Sequence, residues 1–410
     1  MDAKTMMHDG SYAQWVRQAV AMARARDGDV VSLFESSVPE PRELLRQAVL
    51  QTADPEFSRY YVSAFAGGNP FVREMLAAQY GVTHDEVLCT TGATGGLALI
   101  YRAMLSPGDH VLVETPGFDL FTCLGEVQGV AVDTFARKGE RFSIDVAEVE
   151  ARLRPETRVV VISNLHNPSG MPVDHADMVA LAALAERRGF LLVVDEVYAD
   201  YTSKAVRPCA AAALSPAVIS LSSLTKIYGL GALRCGWIIG ARDVVASIRR
   251  ISESVEFGIS TLSHAVAAQV MAQRALFDAH SRGYVERCRP VFDAWFTRLA
   301  AEGLVGGVLP DDGCICFPSL PGIADTRAFS RWLIVRSGVL VAPGEYFGAP
   351  GRVRIGFCLD RDRLDAGLAA LEDGLRHYVG GDAPDEENFP SDGEFRKSLC
   401  AQQSADGKSK

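Results

Sequence analysis

Lys226 closes the run Ser223-Leu224-Thr225-Lys226 directly after the apolar stretch VISLSS, and Gly229, Gly231 and Arg234 follow it. An amine at the end of a buried strand is costly as an ammonium. Desolvation lowers its pKa, which suits a nucleophile and a proton carrier. For SxxK taken alone, a surface lysine in a loop is the plainer alternative. Asp195 and Glu196 end a second strongly apolar run, LLVVDE. Strand carboxyl ends in open α/β sheets face the ligand crevice, although an Asp there can equally cap a helix or hold a metal. Asn167-Pro168-Ser169-Gly170 follows a third apolar run and reads as a turn, with an amide able to donate to an oxygen. Gly92-Ala93-Thr94-Gly95-Gly96 joins the strand-like VLCTT to the helix-like LALIYRAML. Backbone N–H groups and a hydroxyl at a helix start suit a phosphate, and a tight turn is the alternative.

Together these elements answer four demands of one cofactor: a lysine for an aldehyde, a carboxylate for a pyridine nitrogen, a donor for a ring oxygen and a cradle for a phosphate. The order GATGG, TPGF, HNPSG, DEVYADY, SSLTKIYGLGALRCGW and RVRIGF resembles the fold-type-I pyridoxal-phosphate enzymes of aminotransferase class I/II, over roughly residues 55–375. The resemblance implies Lys226 as the Schiff-base lysine and Asp195 as the partner of the pyridine nitrogen, these two being the catalytic pair. It implies Asn167 and Tyr198 as donors to the ring hydroxyl oxygen, and Phe118 as the aromatic stacked on the ring. Ala93, Thr94, Ser223 and Arg234 resemble the phosphate cradle. Arg354 resembles the fork that clamps the substrate α-carboxylate. Arg352, two residues away, would share its face on a strand, and the motif favours Arg354.

The implied activity is amino-group transfer between an α-amino acid and a 2-oxo acid, in a homodimer with a shared active site. The same constellation supports elimination, decarboxylation, oxidation and cyclisation. HNPSG and SLTKIYGLGALRCGW are also similar to enzymes that cyclise hydroxylated arginine derivatives. Two departures stand out. Where the family has a glycine-containing loop that contacts substrate, this chain has Glu35-Ser36-Ser37-Val38-Pro39. An acidic Glu35 favours a basic or hydroxylated substrate side chain over a dicarboxylic one, and a surface or capping Glu35 is the duller alternative. The tyrosine that reaches the neighbouring subunit's phosphate falls at Tyr60 or Tyr61, with longer spacing than usual to Gly68.

The elements that must position these residues are legible as alternation. VLVET (111–115), VVVIS (159–163), LLVVDE (191–196), VISLSS (218–223) and GWIIG (236–240) are mostly continuous apolar runs, the pattern of strands buried on both faces. Helical stretches lie between several, including MVALAALAERRG, with Gly189 as its cap. Alternating strands and helices imply a three-layer α/β domain with a mainly parallel sheet. Strand-like pieces mixed with helices in 308–377 imply a smaller α+β domain. The expected division is an N-terminal arm over 1–49 packing with the small domain, a large cofactor-binding domain over 50–290, a small domain over 291–378 and a disordered tail over 379–410.

Composition removes several classes. With 410 residues, 48% hydrophobic and 22% charged, the chain can bury a core without disulfides or metal. A net charge of −10 disfavours nucleic acid or an anionic membrane as partner. Nine cysteines, scattered singly apart from neighbouring Cys314 and Cys316, point to reduced thiols in a cytoplasmic protein. No membrane span, leader or metal-ligating histidine spacing is expected. A serine acyl-transfer enzyme would need SDN and KTG partners for its SxxK, which are missing. Gly229 to Arg234 lacks the third glycine of a dinucleotide turn. A non-enzymatic relic of the same fold would not keep the lysine, the carboxylate and both arginines.

Overall fold

The computed structural model describes residues 11–25, 30–54, 58–65 and 67–379. Along Thr157–Ser163 the apolar side chains divide between two cores. Val159 and Val161 join one cluster with Ile100 and Phe121, while Val160 and Ile162 join another with Leu181 and Leu184. A strand alternates its side chains, so a continuous valine run can only belong to a strand covered on both faces. Leu192, Val193 and Val194 divide in the same way. Each side chain so buried contributes about 1.5–3 kcal/mol.

The sheet has seven strands in the order Val87–Thr91, Cys235–Ile239, Val218–Ser223, Leu191–Asp195, Thr157–Ser163, His110–Thr115 and Ala131–Ala136. Cys235–Ile239 runs antiparallel to both neighbours; the other pairings are parallel. Helices Gly92–Met104 and Arg242–Val255 cover one face, and Val146–Arg152 and His175–Arg188 the other. His175–Arg188 ends on Gly189 at φ 72°, as the sequence indicates. The three-layer, mainly parallel α/β architecture is thus the one expected. The edge strand Ala131–Ala136, however, lacks an apolar run because only Phe135 in it is buried. The helical region from about 265 to 300 is two helices, Thr261–Ala272 and Arg274–Ala301, broken at Gln273.

A second core gathers Phe292, Trp295 and Leu299 with Phe329, Leu333, Leu364, Leu368 and Leu375. It packs on a small antiparallel sheet of Ala342–Pro343, Val353–Gly356 and Ile315–Cys316. Val31–Ser32 pairs in parallel with Val339–Leu340, which brings residues 33–36 alongside Val353–Gly356. There Gly356 N–H donates to Leu33 O at 2.7 Å. A Cβ on Gly356 would stand 1.6 Å from Glu35 O, so only glycine lets the two backbones meet. Helix Tyr12–Ala25 packs through Trp15 and Ala19 against Phe34, Met171 and Phe347. Beyond Val379, the tail expected to be disordered lies outside the described residues. Among the described residues no helix is long and apolar enough to cross a membrane, and no cluster could hold a metal ion. All eight described cysteines are free thiols.

Candidate active site

Five parallel strands share one orientation, so Thr115, Ser163, Asp195 and Ser223 emerge at one edge of the sheet. The chain leaves Ser223 into the short helix Leu224–Tyr228, whose first turn the Ser223 hydroxyl caps by accepting from Thr225 N–H at 3.3 Å. Lys226 lies on this helix, and the Tyr201 hydroxyl donates to its carbonyl at 2.7 Å. The Lys226 amine donates to Ser36 Oγ at 2.8 Å. Burial, reinforced by the Arg354 charge, pulls that amine down to about 8. Because the amine engages Ser36 and the Ser223 hydroxyl serves as a cap, the SxxK nucleophile arrangement is not formed.

Asp195 ends its strand with Oδ1 accepting from Val197 N–H at 3.1 Å. Burial pushes its carboxyl up to about 7; the Val197 N–H and Lys226 oppose the shift, and the Glu114 charge adds to it. A cationic N–H beside Asp195 would restore the charged form. Asn167 is buried, and its Oδ1 accepts from Arg354 Nη1 at 2.9 Å. The acceptor end of the amide is therefore fixed, and the NH2 end is left to donate elsewhere. The Tyr198 hydroxyl is buried without a well-formed hydrogen bond among the described residues. Burial raises its pKa, with Arg354 and Ser36 pulling the other way.

At the start of Gly92–Met104, Ala93 is half-buried and Thr94 exposed. Arg234, at φ 47°, lays its guanidinium over Gly92: a Cβ there would stand 2.5 Å from Nη2. Gly236, paired with Ser223, would put a Cβ 2.4 Å from Gly92 C. Arg234 and, through its pairing with Gly236, Ser223 thus lie beside the N-terminus of Gly92–Met104, where Ala93 and Thr94 stand.

Arg354 is buried among aromatic rings, its guanidinium 5.0 Å from the centroids of both Tyr12 and Phe347. Nη2 donates to Phe34 O at 3.1 Å and to the Tyr12 hydroxyl. Nε is buried without a partner, and no carboxylate lies in ion-pair range among the described residues. A buried guanidinium in this condition calls for an anion. Arg352 points elsewhere. It pairs with Glu140 at 3.2 Å, donates to Phe317 O and stacks on Phe142. It precedes the strand Val353–Gly356, so the alternation that would align it with Arg354 does not apply. Phe118 packs edge-on against Tyr12 at 6.1 Å.

Sequence reasoning missed several supports. Ser36 carried a signal only as part of the unusual 35–39 stretch, and Tyr12 carried none. Buried Glu114 pairs with Arg137 at 2.6 Å and accepts from Ser163 N–H at 2.8 Å. The Ser163 hydroxyl in turn accepts from Asn167 N–H at 2.9 Å, so this pair positions the amide. His166, its pKa lowered by burial and by the Arg137 charge, is neutral and bonds Ser169 and Pro116 O.

The family model for aminotransferase class I and II matches residues 39–371. Capreomycidine synthase of Streptomyces vinaceus is 31% identical over 77% of this chain and 81% of its own length. A histidinol-phosphate aminotransferase of Sinorhizobium fredii is 28% identical over 91% of this chain and 96% of its own. Among solved structures, aspartate aminotransferase from Thermus thermophilus with maleate superposes with a TM-score of 0.79 at 23% identity, covering 91% of this chain and 98% of that one.

Proposed function

Since this chain belongs to the class I and II aminotransferases, we propose that its pyridoxal-phosphate-dependent amino transfer runs through Lys226 as covalent anchor and Arg354 as carboxylate clamp. Bound, the cofactor supplies an aldehyde for the amine and a protonated ring that draws electrons from the substrate Cα. The single observation that carries the assignment is buried Lys226 just past the carboxyl end of Val218–Ser223, its amine on Ser36 Oγ at 2.8 Å and pulled down to about 8. Lys226 Nζ takes and returns the Cα proton. Asp195 holds the ring nitrogen protonated. Asn167, its Oδ1 tied to Arg354, would donate through its NH2 to the ring oxygen, with the buried Tyr198 hydroxyl as a second donor. Phe118 would cover one face of the ring. Ala93, Thr94, Ser223 and Arg234 receive the phosphate. Gly92 and Gly236 leave room for this cradle, and the buried Tyr198 hydroxyl, without a well-formed hydrogen bond among the described residues, and the buried Asp195 carboxyl, raised to about 7, fit the group. Arg354, with Nε free, fixes the α-carboxylate.

Single turnover with amino acid alone separates the reactions. The expected result is one equivalent of 2-oxo acid per site, with the cofactor left in its amine form until a 2-oxo acid restores it. A second reading rests on the 31% identity to a synthase: ring closure with the cofactor aldehyde regenerated and no lasting spectral change. That outcome would replace transamination while leaving Lys226 in place.

We also propose a homodimer with a shared site. Phe257 is 85% exposed and Phe65 57%, their rings 5.6 Å apart, with Tyr61 at 54% close by in sequence. Tyr60 is buried against Phe71, so Tyr61 is the tyrosine that faces outward to a partner subunit. Exposed aromatics of this size mark interaction surfaces, and a stable interface buries ~1,600 Å². Phe257→Asp should shift the mass measured by light scattering toward the monomer and weaken cofactor retention. A wild-type monomer with full activity would overturn the shared site.

A further inference from the structure

A guanidinium carries five N–H donors, and the contacts of Arg354 leave an uneven set of them open. Nη2 commits both of its protons, one to Phe34 O at 3.1 Å and one to the Tyr12 hydroxyl. Nη1 commits one to Asn167 Oδ1 at 2.9 Å. Nε is buried and has no partner among the described residues. A carboxylate forks on two adjacent nitrogens, and both forking edges of a guanidinium include Nη2. With the Nη2 protons engaged, neither edge of Arg354 offers an open pair. A second donor has to come from a neighbour.

Tyr12 supplies one. Its hydroxyl oxygen accepts from Nη2, while its own proton has no acceptor among the described residues. Burial raises the phenol pKa against the opposing Arg354 charge, so the hydroxyl keeps that proton near neutral pH. A hydroxyl that accepts from a cation is also polarised into a better donor. Its position is fixed from several sides. Tyr12 N–H donates to Asp119 Oδ2 at 2.7 Å. The Tyr12 ring packs on Trp15 at 5.7 Å, on Phe347 at 5.3 Å and edge-on to Phe118 at 6.1 Å. Trp15 is itself buried against Phe34 at 5.2 Å, whose carbonyl holds the same Nη2. Swinging the hydroxyl off Arg354 would break these contacts together.

We propose that Tyr12 is the second prong of the carboxylate clamp: the substrate α-carboxylate accepts from Arg354 Nε–H with one oxygen and from the Tyr12 O–H with the other. The inference rests on the Arg354 assignment given above. It makes the helix Tyr12–Ala25 part of the substrate site of its own subunit.

Tyr12→Phe removes the prong and keeps the ring with its packing. 2-Aminoisobutyrate and tert-butylamine, which have no Cα proton to lose, differ in a carboxylate against a methyl group. Calorimetry reads the binding of each to the holoenzyme. The variant is expected to weaken 2-aminoisobutyrate by about 10–100-fold, the effect of one lost hydrogen bond to a charged group, and to leave tert-butylamine unchanged. With reactive amino acids the loss should fall on KM, with kcat at saturation close to the wild-type value. An equal loss for both probes would make the hydroxyl a structural support and overturn the proposal. So would unchanged or tighter binding of 2-aminoisobutyrate, which would mean that the carboxylate takes the place of the hydroxyl on Nη2. Arg354→Lys separates the two assignments, because lysine does not reproduce the planar guanidinium. If Arg354→Lys weakens 2-aminoisobutyrate and Tyr12→Phe does not, the clamp stands and the Tyr12 prong falls. If Arg354→Lys leaves it unchanged, the clamp falls and the prong with it.

Discussion

Lys226→Ala is expected to abolish the visible absorption band of the lysine-bound cofactor. Turnover should drop by at least the ~10²–10⁴-fold that a positioned proton carrier contributes. Loss of the covalent anchor adds to that. Borohydride treatment followed by peptide mass analysis should find the cofactor on Lys226 in the wild type and on no lysine in the variant. A reducible adduct persisting in Lys226→Ala would assign the anchor to another residue. The same amine sets a pH dependence. Burial and the Arg354 charge pull it down to about 8, so it is charged below that pH and a free nucleophile above. Capture of added cofactor by the apoprotein should rise with pH and level off above about 8. A rate still climbing toward pH ~10, where an ordinary lysine titrates, would show an unperturbed amine.

Asp195→Asn is expected to keep the cofactor bound while lowering kcat by about 10²–10³-fold, the effect of deleting one preorganised charge at a site of developing charge. The sign follows from the environment. Burial raises the Asp195 carboxyl to about 7, and a ring N–H beside it favours the carboxylate and is itself held protonated in return. An asparagine offers no charge, so the ring nitrogen loses its proton and the Cα carbanion its sink. The measurement is single-turnover rate at full cofactor occupancy, with occupancy read from absorption. Near-normal turnover would refute the pairing.

What the chain disclosed in advance follows a physical line. Val159 to Ile162 and Leu192 to Val194 were legible because strands buried on both faces must be apolar throughout. Ala131–Ala136 was not, since an edge strand with one buried residue has no such constraint. Lys226, Asp195 and Asn167 were legible because each follows a legible strand. Ser36 and Tyr12 were not. Their contacts to Lys226 and Arg354 span 190 and 342 residues, and long-range packing leaves no local periodicity. Arg352 and Arg354 looked alike by spacing, and the fold separates them: Arg352 pairs with Glu140, whereas Arg354 is buried against Asn167 with no carboxylate beside it among the described residues. Glu35 was singled out by its departure from the family loop, and the fold leaves it exposed between buried Phe34 and Ser36.

The setting of Arg354 between the Tyr12 and Phe347 rings, 5.0 Å from each, has a consequence for recognition kinetics. A free arginine side chain holds about 2 kcal/mol of rotamer entropy, which an arriving ligand must ordinarily quench. Here that freedom is already lost when the chain folds. The guanidinium waits as a rigid template, and a carboxylate docks without an ordering step in its receptor. Association at this subsite should therefore be limited by desolvation of the incoming anion rather than by any search of the side chain.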